Sequence, residues 1–132
     1  MTRRGWRAGA GTDRGQSSVE LALALPLVAM LLLLVVQVAL LGRDQILVTH
    51  AAREAARAAA VVPSGDTAAS AQAAAGSGPL DPSRLSTVVD ERGGALPVVE
   101  VHVRYRAPTD LPLIGALMPD VTVEATATMR RE

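Results

Sequence analysis

Residues 21–41 read LALALPLVAMLLLLVVQVALL, an apolar run that only Pro26 and Gln37 interrupt. As a helix this run spans about 31 Å, close to the thickness of a bilayer's hydrocarbon core. A core helix of a soluble domain is the alternative, but no other segment is apolar enough to surround it. A secretory signal would be shorter and would end in a small-residue cleavage site, whereas GRD follows at 42–44. The run therefore predicts a retained transmembrane helix over about 21–41.

The charges that flank the run predict its orientation. Within residues 1–15, four arginines stand against a single acid: Arg3, Arg4, Arg7 and Arg14 against Asp13. Behind it, Arg43 is followed at once by Asp44. Because basic residues accumulate on the cytoplasmic side of a span, we expect a single-pass protein of the cytoplasmic (inner) membrane. Its N-terminus then lies in the cytoplasm and the residues after about 42 lie outside.

Composition excludes many chemistries. The 132 residues include no Lys and no Cys, and 2% are aromatic. A Lys-based phosphate loop, a Schiff-base enzyme, a thiol nucleophile, a disulfide and a Cys zinc site are therefore ruled out. The net charge of +0 gives no field that would attract nucleic acid.

The few remaining titratable candidates do not form a predicted site. His50 and His102 have no metal-binding spacing, and His102 is expected on the solvent face of a strand. The adjacent carboxylates Asp90 and Glu91 are interpreted as solvated charge. We expect no enzyme, no cofactor, no metal and no small-molecule substrate.

A carboxylate lies at the cytoplasmic mouth of the predicted span. Residues 1–15 form a Gly- and Arg-rich basic leader, and residues 15–20 read GQSSVE. Glu20 is costly if it enters hydrocarbon unpaired. One interpretation is an interfacial residue that favours the positive end of the helix. The other is a carboxylate retained for assembly.

The helix is predicted to continue beyond the membrane. Residues 51–60 are Ala-rich, and Pro63 then stops the helix, so we expect it to run from Ser18 to Ala60 over about 64 Å. One face carries charged and polar residues, namely His50, Arg53, Glu54 and Arg57, with His50 paired to Glu54. Another face is a stripe of small residues suited to close helix packing, namely Ala52, Ala55, Ala56 and Ala59.

Three motifs together resemble the TadE-like family of the Tad (tight adherence, Flp pilus) system. These are the GQSSVE start at 15–20, Pro26 after the first apolar turn, and AAREAAR at 51–57. The resemblance covers about 14–62 closely and the tail loosely. It implies a pseudopilin-type protein whose TadE-like segment, 16–62, holds the anchor and its helical extension.

The resemblance also implies a processing site. In type IV prepilins and pseudopilins a membrane-embedded prepilin peptidase cuts after Gly, and the Glu becomes the fifth mature residue. Transferred here, the cut falls between Gly15 and Gln16, leader 1–15 is removed, and Glu20 serves subunit assembly. Leu21 stands where major Flp pilins have Tyr, which favours a minor component.

The tail is predicted to form a linker and a small outer domain. Residues 63–80 are an Ala/Gly/Ser-rich linker in which Asp66 or Thr67 caps a short helix to about Ala75. Residues 81–132 form an α+β tail. It opens with a helix at Asp81-Pro82, and that helix places Leu85, Val88 and Val89 on one face. Alternation predicts two antiparallel strands, over 99–106 and 121–130, joined by an apolar segment at 107–120.

The predicted fold class is α+β: a long N-terminal transmembrane helix, short helices and a two-stranded antiparallel element. The predicted function is a minor pseudopilin-like component of a Tad-type pilus assembly or secretion machine. Its partners are the membrane, other pilus or secretion proteins and the prepilin peptidase. Two alternatives stay open: an envelope-anchored adaptor that displays a binding domain, and a non-catalytic membrane subunit of an enzyme complex.

Overall fold

The structure, a computed structural model, describes residues 13–94, 96–109, 115–116 and 119–131, with side chains from Gln16 onward. The chain forms one long helix followed by a small α+β domain. The elements are α1 (Asp13–Ala60), α2 (Thr67–Gly76), a 3₁₀ turn (Pro82–Arg84), β1 (Leu85–Arg92), β2 (Val98–Ala107) and β3 (Val121–Arg130).

Helix α1 has 48 residues, which corresponds to about 72 Å. It ends at Ala60, as the sequence predicts, but it begins at Asp13 instead of Ser18. The helix ends because Pro63 cannot donate a backbone hydrogen bond. Gly65, with a φ of 111°, then turns the chain back toward α2.

The sheet has three antiparallel strands in the order β1-β2-β3, so the prediction of a two-stranded element was wrong. The two predicted strands are confirmed as β2 and β3, which pair antiparallel from Val98↔Arg130 to Ala107↔Val121. The predicted helix after Asp81 was wrong. Only Pro82–Arg84 is helical there, as a 3₁₀ turn, and Leu85–Arg92 is β1.

The residues of β1 fit the periods of both a helix and a strand, which explains why a helix was predicted. Leu85, Val88 and Val89 are spaced like one face of a helix, but Leu85, Thr87 and Val89 also alternate. The alternating set faces inward, because Leu85 is buried and Thr87 and Val89 are half-buried. The β-branched residues favour the strand, and pairing of its whole length with β2, from Val98 to Tyr105, decides it.

The core lies between the inner face of the sheet and the second half of α1. The strands contribute Val99, Val101, Val103 and Tyr105, and α1 contributes Val48 with the alanines at 52, 55, 56 and 59. Alanine on the helix and valine on the sheet let the two backbones approach closely. The second half of α1 is therefore part of the domain.

Helix α2 confirms the predicted alanine helix, although the side chain of Asp66 does not cap it. Ala71 and Ala75 of α2 belong to the same buried cluster as α1 and the sheet. Gln72 bonds the backbone of β1: its Oε1 accepts from the Thr87 N–H at 3.1 Å, and its Nε2 donates to the Leu85 carbonyl at 3.3 Å.

Glu91 is exposed, as a solvated charge would be, but it also links three parts of the domain. Its carboxylate accepts from the Thr67 hydroxyl at 2.7 Å and pairs with Arg131 at 2.7 Å. Arg131 also donates to the Val62 carbonyl at the end of α1. The Thr67 hydroxyl, and after it Arg131, hold the pKa of Glu91 below its ordinary value.

The outer face of the sheet is polar and carries cross-strand ion pairs. Arg104 lies 2.8 Å from Glu124, and Arg92 lies 2.7 Å from Glu100. His102, predicted to lie on the solvent face, contacts Thr126 at 2.9 Å and Asp90 at 3.5 Å. Half of the apolar join at 107–120, residues 110–114 and 117–118, lies outside the described residues.

Candidate assembly surface on the long helix

The first half of α1 is bare, and from Leu21 to Val36 it is apolar on every side. From Val19 to Val36 every residue is exposed except Leu33, which is half-buried. The most apolar window of the helix has a mean hydropathy of 2.7, and none of it is buried within the chain. Exposure of such a surface to water would cost much free energy, whereas a bilayer or other apolar helices would cover it. We call residues 19–36 the bare segment.

The bare segment ends where the domain begins to cover α1. Leu33 and Leu41 are half-buried, Gln37 is 3% exposed and Val48 is fully buried. The bare segment is about 27 Å long, slightly short of a typical hydrocarbon core of about 30 Å. The domain therefore lies directly beside the apolar helix, with no flexible linker between them.

Two residues interrupt the apolar run of the predicted span, Pro26 and Gln37. Gln37 is the polar one, and it is buried. Its Oε1 has no hydrogen-bond partner among the described residues. A buried amide oxygen without a partner costs about 1–3 kcal/mol.

We expect Gln37→Leu to raise the free energy of unfolding by about 1 kcal/mol, because it removes this unsatisfied oxygen. Gln45→Leu is the matched control, since Gln45 Nε2 donates to the Glu124 carbonyl at 3.1 Å. The control should lower the free energy of unfolding by about 1 kcal/mol. Chemical unfolding in detergent micelles measures both, and a destabilised Gln37→Leu protein would show that Gln37 has a partner.

The predicted processing residues lie in the first two turns of α1. The bond between Gly15 and Gln16 is inside the helix, because α1 begins at Asp13. Gln16 and Glu20 are both exposed, and their spacing of four residues places them on one face.

The predicted packing stripe lies in the core of the chain itself. Ala52, Ala55, Ala56 and Ala59 are all 0% exposed and cluster with the inner face of the sheet and with α2. The polar face, by contrast, is exposed at His50, Arg53, Glu54 and Arg57. The predicted pairing of His50 with Glu54 was wrong, since no hydrogen bond or ion pair joins them.

The structure brings Gln16 and Glu20 together but separates both from the Ala stripe by the bare segment. The sequence did not predict the hydrogen bonds of Gln72 to the backbone of β1. Because these residues were predicted to form a helix, there was no strand edge for Gln72 to bond. Within the described ranges, no three His, Asp or Glu side chains gather into a group that could hold a metal ion.

Comparison with known families identifies the segment that carries this surface. Residues 15–57 match the family model of the TadE-like proteins. The chain carries a TadE-like segment. No curated protein and no solved structure gives a significant match to the chain.

The TadE-like segment begins at Gly15 and ends within α1, so it contains the whole bare segment and most of the Ala stripe. The matched family consists of Tad pilus-related proteins, and α1 is long and apolar enough to cross a membrane. The three-stranded sheet lies beyond the match.

Proposed function

We propose that this chain is a minor pseudopilin-like structural component of a Tad-type pilus assembly or secretion machine. The observation that carries the proposal is the bare segment, an apolar helix within a TadE-like match that runs without a break into a folded domain. Before assembly the bare segment lies in the cytoplasmic membrane. The N-terminus is in the cytoplasm, and the domain is outside.

A continuous helix suits this role because it fixes the position of the domain relative to the bare segment. The core buries the second half of α1, so the domain cannot rotate independently of the helix. When the bare segment leaves the bilayer, apolar helices of other pilus proteins replace the lipid around it, since only an apolar surface can cover it. The domain then occupies a fixed place beside them.

Removal of residues 1–15 by a prepilin peptidase tests the proposal. We expect the mature chain in its native host to begin at Gln16, and intact-mass measurement reads this directly. Gly15→Leu should abolish cutting, because a bulky side chain stands at the scissile position. Gly9→Leu makes the same change in the leader, outside the TadE-like segment, and this control should be cut normally.

An uncut chain in a cell with an active prepilin peptidase would remove the pseudopilin proposal. The anchored adaptor would then be the better account, because it needs the bare segment but no cut.

The orientation is tested separately. A reporter that is active only outside the cytoplasm, fused after Glu132, should be active, because the Arg excess precedes the span. The same reporter fused before the span, at Gly15, should be inactive. The opposite pattern would reverse the proposed orientation.

A further inference from the structure

The two edges of the sheet differ in what covers them. Gln72 of α2 occupies one end of the β1 edge, where it accepts from Thr87 N–H and donates to the Leu85 carbonyl as a neighbouring strand would. At the edge of β3, in the part of the chain that the structure describes, one backbone group has a side-chain partner. This is the Glu124 carbonyl, which accepts from Gln45 Nε2.

The alternation of an antiparallel ladder shows which groups of β3 point outward. Arg131 N–H donates to the Pro97 carbonyl on the β2 side, so odd-numbered residues bond inward. Thr126, Thr128 and Arg130 therefore direct their N–H and carbonyl groups to the open edge. Such an unpaired row is a template for one more strand.

The inner face beside this edge is incompletely covered. Ala125, Ala127 and Met129 are half-buried, whereas the inward residues of β2 from Val99 to Ala107 are buried. A groove of about 340 Å³ separates the ends of α1 and β3, lined by Arg57, Ala60, Val61, Met129 and Arg130. An added strand would cover the half-buried side chains and fill this groove.

The charge of the groove indicates the chemistry of that strand. Arg57 and Arg130 line it, and no carboxylate among the described residues lies within ion-pair distance of either one. Two unpaired guanidinium groups beside an open edge favour carboxylates on the incoming strand.

A second copy of this chain does not fit the edge. β3 runs in the same direction as α1. Gln45 of α1 bonds Glu124 of β3, and Val62 bonds Arg131 just past the ends of the same two elements. An antiparallel β3–β3 pair would therefore point the second bare segment away from the membrane. A parallel pair between β3 and the β1 of a second copy would have to displace Gln72 of that copy from Leu85 and Thr87. In a two-fold parallel β3–β3 pair, each residue whose N–H and carbonyl point outward would lie opposite the same residue of the second copy. Parallel strands form hydrogen bonds only when the bonding residues of the two strands are shifted by one position, so this pair does not form either.

We propose that the open edge of β3 binds an extended, acidic segment of a different protein as a fourth strand of the sheet. The exclusion of a second copy rests on the membrane anchoring of the proposed function, but the edge and the two arginines do not.

The test uses the full chain in detergent micelles with a capped peptide of about eight residues that alternates Val and Glu. The counterpart peptide alternates Val and Arg. At millimolar concentration the acidic peptide should slow hydrogen exchange of the Thr126, Thr128 and Arg130 amides by about tenfold or more, as strand pairing does. The basic peptide should change these rates less than twofold. Equal protection by both peptides, or none by either, would overturn the proposal.

Two variants separate strand pairing from other binding. Thr128→Pro removes an outward N–H and leaves the bonds to β2 in place, so it should abolish the protection at Thr126 and Arg130. Thr128→Val keeps the N–H and should retain it. If Thr128→Pro fails to fold, the Arg57→Glu/Arg130→Glu double variant decides, because it should bind the acidic peptide at least about tenfold more weakly. Edge amides that become protected with rising protein concentration alone would make a second copy the occupant and overturn the proposal.

Discussion

Residues 63–132 expressed alone should show no cooperative unfolding transition. In the full chain, Val99, Val101 and Val103 are 0% exposed because α1 covers the inner face of the sheet. Without α1 these side chains return to water, and each large apolar side chain loses about 1.5–3 kcal/mol of burial. A domain of this size has only a few kcal/mol of stability to lose. Thermal or chemical unfolding followed by circular dichroism measures the result.

The matched control is residues 41–132, which begin beyond the bare segment and keep the second half of α1. This longer fragment should unfold cooperatively, because it retains Val48 and the four alanines of the core. A folded fragment 63–132 with dispersed amide resonances would contradict the packing role assigned to α1.

A point substitution tests the same interface in the full chain. Ala56 is 0% exposed between α1 and the rest of the core, so Ala56→Leu should overpack it and cost about 1–3 kcal/mol. Ala69→Leu places the same side chain at an exposed position of α2 and should change stability by less than about 0.5 kcal/mol. Equal effects of the two substitutions would show that the tight contact at Ala56 is unimportant.

Glu20→Gln should abolish assembly while leaving insertion into the membrane intact. Cutting after Gly15 would create an α-amino group at Gln16, and Glu20 would pair with that group on a neighbouring subunit. Glu20 is exposed in the isolated chain, which leaves it accessible to such a partner. Removing one member of a buried ion pair costs about 3–5 kcal/mol, which weakens the contact by a factor of a hundred or more.

The measurement is the fraction of the protein recovered with other pilus components after mild solubilisation, beside its total amount in the membrane. Glu54→Gln makes the same chemical change at an exposed position of α1 outside the bare segment, and it should assemble normally. If Glu20→Gln assembles as well as Glu54→Gln does, Glu20 is an interfacial residue that only favours the helix end.

The length and the apolar surface of α1 are decided locally, which is why the sequence predicts a membrane-spanning helix. A long apolar run needs no tertiary partner to favour a bilayer, and the Ala-rich extension favours helix by its own propensity up to Pro63. Strands β2 and β3 were predictable for the same reason, since their alternation is unambiguous over eight residues of β2 and all ten of β3.

Only the tertiary structure decided β1 and the role of α1. Residues 85–92 fit a helix and a strand equally in sequence, and the choice depends on a distant β2 that offers eight paired residues. The alanines at 52, 55, 56 and 59 predict a surface for close packing, but sequence does not name what packs there. The fold places the sheet there, because a sheet with one valine-rich face and too few other apolar groups must cover that face with the nearest small-residue helix.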